Sequence, residues 1–90
     1  MEASEVERYL GKVNGWGHTG HHRISRTFVF PDFVGALGFA NRIGEIAEAE
    51  GHHPDLLVGW GRVEVTIWTH KVNGLTESDF ILAAKIDELT

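Results

Sequence analysis

Residues 23–51 read RISRTFVFPDFVGALGFANRIGEIAEAEG, and inside this stretch the hydrophobic period changes. Up to Phe30 the period is two, with Phe28 and Phe30 on one face of a strand and Val29 on the other. Ile24, Thr27 and Val29 are β-branched, which suits a pleated surface. Pro31 ends the ladder because it has no N–H to donate. Asp32 stands at an N-cap, and Phe33, Ala36, Leu37, Ala40, Ile43 and Ala47 then recur on one helical stripe. Phe39 and Ile46 fall beside that stripe and are expected to widen it towards a partner subunit. Gly51 stands where a left-handed residue stops a helix. The stretch is therefore a strand followed directly by a long amphipathic helix.

Upstream, Ser4-Glu5-Val6-Glu7 has the form of a capping box, with Val6, Tyr9, Leu10 and Val13 at helical spacing behind it. Asn14-Gly15-Trp16-Gly17 signals a turn into a short aromatic-bearing strand. His18-Thr19-Gly20-His21-His22 reads as the hairpin loop before residue 23, its imidazoles solvated rather than ligating. Downstream, Leu56 to Trp60 forms a short strand, and Gly61-Arg62 a tight connection. Val63, Val65, Ile67 and Thr69 then alternate with Glu64, Thr66, Trp68 and His70, as in a half-buried strand running to His70. Lys71 to Gly74 turns the chain. Thr76-Glu77-Ser78-Asp79 opens a last helix with Leu82, Ala83, Ile86 and Leu89 on its buried stripe. The order α-β-β-α-β-β-α predicts an α+β fold, a four-stranded antiparallel sheet with helices packed on one face, in a single domain over residues 1–90.

Composition excludes several functions. Eight basic against thirteen acidic residues give a net charge of −5 with no basic run, so a nucleic-acid backbone is not the expected partner. The absence of cysteine removes disulfides, thiolate metal sites and a cysteine nucleophile. No apolar run approaches the ~20 residues that span a bilayer, and Met1-Glu2-Ala3-Ser4-Glu5 does not resemble a signal peptide. A cytoplasmic, membrane-free protein is expected.

Chemistry concentrates in His52-His53-Pro54 and His70. Pro54 holds His53 extended and stiffens the loop, and the strand end at His70 can meet it in one cleft. Imidazoles titrate near neutral pH, so such a cleft suits a reaction that protonates a leaving group and removes a proton elsewhere. A three-histidine metal site is a second reading, although adjacent histidines chelate less well than an i, i+4 pair. Histidines capping a helix end are a third.

The residues resemble the pterin-4a-carbinolamine dehydratases. The resemblance rests on Gly15-Trp16, Phe28-Val29-Phe30-Pro31-Asp32-Phe33, Glu48 with His52-His53-Pro54, Trp60-Gly61-Arg62-Val63, Thr69-His70, Gly74-Leu75-Thr76 and Asp79, in order over nearly the whole chain. It implies a hydro-lyase that converts 4a-hydroxytetrahydropterin to quinonoid dihydropterin and water, in the recycling that follows aromatic amino acid hydroxylases. No metal or organic cofactor is implied. By position, His52 and His70 would be general acids or bases and His53 would hold the pterin. Glu48, Gly51, Trp68, Thr69 and Lys71 would line the pocket. Asp79 would cap the last helix or orient His70. Trp68, Gly61 and Val13-Asn14 depart from the family pattern, and Trp68 bears on the pocket. The fold also resembles modules that serve as a dimerisation cofactor or an assembly factor, a non-catalytic alternative. A homodimer or homotetramer is expected, through apolar positions such as Phe39, Ile46 and Phe80.

Overall fold

The computed structural model describes residues 1–90. Its elements are α1 (Ala3–Leu10), β1 (Gly17–Thr19), β2 (Arg23–Val29), α2 (Phe33–Glu50), β3 (Asp55–Gly59), β4 (Arg62–Ile67), a 3-10 turn (His70–Val72) and α3 (Glu77–Asp87). The strands form one antiparallel sheet in the order β1-β2-β4-β3. No helix is long and apolar enough to cross a membrane.

Register decides which side chains enter the core. Ile24 faces Ile67, Phe28 faces Val63, and Leu56 and Val58 oppose Val65 and Val63. Val63, Val65, Ile67 and Ile24 are fully buried on this face. The opposite face carries exposed Thr27, Val29 and Leu57, so all three helices cover one side, as the alternation predicts.

Asp32 caps α2, its side chain accepting from the Gly35 amide at 2.7 Å. The buried stripe of α2 is Ala36, Phe39, Ala40, Ile43 and Ala47. Phe39 is thus 1% exposed in the chain's own core, and the expectation that it faces a partner is overturned. Its ring centre lies 4.7 Å from Phe28 and 5.0 Å from Phe30, and this aromatic contact turns the helix. Phe33 and Leu37 are left 48% and 43% exposed in its place. Phe80 is buried too, stacked on Tyr9 at 5.2 Å. Ile46 is half-buried against the core. Truncating a residue such as Phe39 to alanine costs about 3–5 kcal/mol.

Two termini differ from expectation. Helix α1 starts at Ala3, with Glu2 as N-cap in a reciprocal box with Glu5, rather than at Ser4 with Glu7. This leaves Glu7 free to point at another element. His18 and Thr19 belong to β1, and the hairpin connection shrinks to Gly20, His21 and His22, the first two at φ 58° and 60°. The His22 amide closes it on the Thr19 carbonyl at 3.0 Å. Positive φ at both central residues is the type I′ arrangement that matches strand twist. Histidine at the second of them costs about 1–2 kcal/mol against glycine.

Asp87, at the end of α3, ties the N-terminal half to the sheet. It accepts from the Asn14 amide at 3.0 Å, Trp16 Nε1 at 2.9 Å and Arg26 Nη1 at 2.7 Å. Arg26 is the one core-facing charge of β2, and this pair satisfies it while its guanidinium lies over Phe28.

Candidate functional site

The C-terminus of α2 is built to eject two histidines. Gly51, at φ 64°, donates its amide to Glu48 O, and His52 donates its amide to Ala47 O at 3.1 Å. These two bonds form a Schellman motif, which ends the helix and turns the chain sharply. His52 and His53 leave the helix there, and Pro54 carries them into β3.

From the other side, β4 ends at Ile67, three residues earlier than the alternation predicts. Thr69 pairs with Gly74 in an isolated bridge, its amide donating to Gly74 O at 2.8 Å. The bridge pinches residues 70–72 into the 3-10 turn, so His70 opens a turn rather than closing a strand. Its ring still packs on Trp68, with centres 4.6 Å apart.

The two segments face each other across a cleft of about 400 Å³ lined by Gly51, His52, His53, Trp68, Thr69, His70 and Lys71. That volume accommodates a bicyclic ligand. Glu48 stands at the rim, its carboxylate 3.0 Å from His53 Nε2, and both side chains are mostly exposed. All nine positions singled out from the sequence thus meet in or directly behind one cleft.

Asp79 lies behind it and is the only buried charged residue, with 0% exposure. Its Oδ1 is 2.5 Å from His52 Nε2. Its Oδ2 accepts from Thr69 Oγ1 at 2.9 Å and from the Thr76 amide at 2.8 Å. Asp79 therefore caps α3 and orients His52, whereas the sequence suggested His70 as the histidine it would orient. Both roles are filled by one carboxylate because its two oxygens point to opposite sides. Since the single Thr69 hydroxyl hydrogen goes to Asp79, the Thr76 hydroxyl must donate to Thr69 Oγ1 across their 2.8 Å contact. No buried polar side-chain atom is left unpartnered.

Hydrogen counting then fixes the tautomer. An ionised Asp79 accepts only, so His52 Nε2 carries a hydrogen and Nδ1 of the neutral ring carries the lone pair. His52 is 18% exposed on its cleft side, and Nδ1 has no protein partner. A carboxylate-oriented imidazole of this kind can exchange a proton with a bound molecule while its positive form is stabilised from behind.

Sequence reading missed one residue near the cleft. The Arg23 guanidinium lies 4.2 Å from the centre of the Trp68 ring and donates to Asn73 Oδ1 at 2.8 Å and to His22 O at 3.0 Å. The pairing of Ile24 with Ile67 puts Arg23 beside Trp68, and that register was the signal needed.

A family model described as pterin 4 alpha carbinolamine dehydratase matches residues 1–89. A protein of Rubrobacter xylanophilus, provisionally named a pterin-4-alpha-carbinolamine dehydratase, is 49% identical over 89 residues, covering 99% of this chain and 83% of its own. A crystal structure titled transcriptional coactivator/pterin dehydratase, from Brucella melitensis, superposes with a TM-score of 0.92 at 37% identity, covering 99% of this chain and 96% of that one. A pterin dehydratase-like protein identified as a RuBisCO assembly factor in the alpha-carboxysome shares the fold, with a TM-score of 0.71 at 20% identity over 84% of this chain and 89% of that one. The fold and the match across nearly the whole chain agree: this chain belongs to the pterin 4 alpha carbinolamine dehydratase family.

Proposed function

We propose that the cleft binds a 4a-hydroxytetrahydropterin and dehydrates it, as a hydro-lyase using histidine acid–base catalysis. The C4a–oxygen bond breaks, one proton joins the departing hydroxide to make water, and the N5 proton is lost to give the quinonoid dihydropterin. Two proton transfers at separated atoms need two groups that titrate near neutrality. His52 and His70 fill those roles, and His53 and the Trp68 face hold the ring system. Glu48, Gly51, Thr69 and Lys71 supply the remaining contacts, and Asp79 positions His52.

The observation that carries the reading is the buried Asp79 carboxylate on His52, in a cleft that two further imidazoles line. Capping α3 needs only Asp79 Oδ2, so a scaffold that only assembles other proteins has no evident use for the second oxygen held against an imidazole at the cleft. The transfers balance without a redox step, since one proton is lost from N5 and one joins the departing hydroxide. The pathway position implied by the family is recycling of the pterin after aromatic hydroxylation, in the cytoplasm, by an oligomer of this domain.

The test is single-turnover loss of 4a-hydroxytetrahydropterin followed by stopped-flow absorbance. His52→Ala and His70→Ala should each slow the protein-dependent rate by about 10²–10⁴. Equal rates for the variants and the wild type would overturn the assignment of roles.

A further inference from the structure

A second cluster lies on another part of the molecule. Glu7 on α1 meets His18 of β1 and His21 of the β1–β2 turn, three residues with no part in the cleft. Glu7 Oε2 lies 3.2 Å from His18 Nε2 and 3.0 Å from His21 Nε2, and one oxygen of the carboxylate and one nitrogen of each ring all lie within 4.8 Å of one another. The two imidazoles stack with centres 3.9 Å apart and planes 25° apart. Their side chains are 28% and 34% exposed, so the rings lie partly against the protein.

We propose that Glu7, His18 and His21 bind one divalent transition-metal ion of the zinc class. Donor atoms about 2.1 Å from a tetrahedral ion stand about 3.4 Å from one another, close to the two separations found. Two neutral imidazoles and one carboxylate are a borderline donor set that suits zinc and leaves a fourth position for water. A second, independent feature is the backbone at His21. The turn needs φ 60° there, where glycine is the undemanding choice, yet the chain carries a histidine whose ring reaches the same carboxylate oxygen as His18. Two terms oppose it: the rings must turn out of their stack, because a bound ion lies in the plane of each ring, and one hydrogen bond is lost. The His21 amide donates to His18 Nδ1 at 3.2 Å, and metal at Nε2 requires the tautomer with hydrogen on Nδ1. That long contact sits at the exposed hairpin tip, where water replaces the lost acceptor.

The ion would clip α1 to the hairpin, joining residues 7, 18 and 21. The expected binding is one Zn²⁺ per chain, with a Kd of about 10 μM or tighter at pH 7.5, and weaker binding as pH falls through the imidazole range.

The test is Zn²⁺ titration of the chelator-treated full chain, read by calorimetry and by competition with a zinc dye. His21→Gly removes a ligand while giving the turn its preferred residue, so this variant stays folded. It and His18→Ala and Glu7→Gln should each weaken binding by more than about tenfold. His52→Ala with His70→Ala, which empties the cleft of two imidazoles, should leave the stoichiometry and affinity unchanged. The proposal is overturned if the wild type binds no Zn²⁺ tighter than about 100 μM. It is equally overturned if binding survives His21→Gly and disappears with the cleft variants.

Discussion

Replacing Asp79 by asparagine should leave the His52 ring in place and invert its chemistry. Three donors converge on the carboxylate, from His52 Nε2 at 2.5 Å, Thr69 Oγ1 at 2.9 Å and the Thr76 amide at 2.8 Å. Asparagine keeps one acceptor oxygen. Two of the three donors share Oδ2, so the oxygen stays on that side and the NH₂ turns to His52. His52 Nε2 must then accept, the ring hydrogen moves to Nδ1, and the cleft meets an N–H where a lone pair stood. The positive ring also loses its buried counter-charge. Loss of the proton-accepting tautomer should reduce the protein-dependent dehydration rate by about 10²–10⁴. Exchanging charge-assisted hydrogen bonds for neutral ones should cost about 2 kcal/mol, or roughly 10 °C in Tm for a domain of this size. Circular dichroism gives the Tm, and stopped-flow absorbance at a temperature where Asp79→Asn is folded gives the rate. A folded variant within threefold of the wild-type rate would refute the claim that Asp79 sets the state of His52.

Other changes separate the parts of the structure. Arg23→Gln should free the Trp68 ring, raising KM for the pterin several-fold with a smaller change in kcat and altering Trp68 fluorescence; Arg23→Lys, which keeps the cation near the ring, should recover part of the loss. Gly51→Ala meets no neighbouring atom but forces φ 64° on a residue with a Cβ, so denaturant unfolding should show a loss of about 1 kcal/mol and a displaced His52 should lower the rate. Asp87→Ala strands Arg26 on the core face and should destabilise by about 3 kcal/mol in the same assay. The Tyr9 phenol donates to Glu77 at 2.7 Å, and this bond, aided by partial burial and the nearby negative charge, raises its pKa above the ordinary 10.0. Its contribution to stability is therefore complete below pH 10.0 and lost as pH rises through the folded value, and Glu77→Gln should bring the phenolate absorbance titration down.

The fold was legible because its elements announce themselves locally. The change of period at Phe30–Asp32, the glycine after Glu50 and the box at Thr76–Asp79 each have one cheap local solution. What the sequence hid depends on register and on competition between stripes. Phe39 and Leu37 sit 200° apart on the helix wheel, and only Phe28 of β2 and Phe30 just beyond it decide which of them is buried. The bridge between Thr69 and Gly74 stops β4 early, although the alternation continues through it. The partners of the site were hidden for the same reason. Asp79 reaches His52 across 27 residues, and Arg23 reaches Trp68 through the pairing of β2 with β4. His18 and His21 were read as solvated because they fall near a hairpin tip, whereas the cap at Glu2 leaves Glu7 free to meet both rings.

The central claim is that this cleft dehydrates a 4a-hydroxytetrahydropterin, and the most direct measurement compares its decay with wild-type protein against its spontaneous decay in the same buffer. The expected result is an acceleration that is proportional to protein concentration and absent from His52→Ala. Decay at the buffer rate, with folded wild-type protein in excess, would contradict it and turn attention to the binding of a protein partner by the same fold.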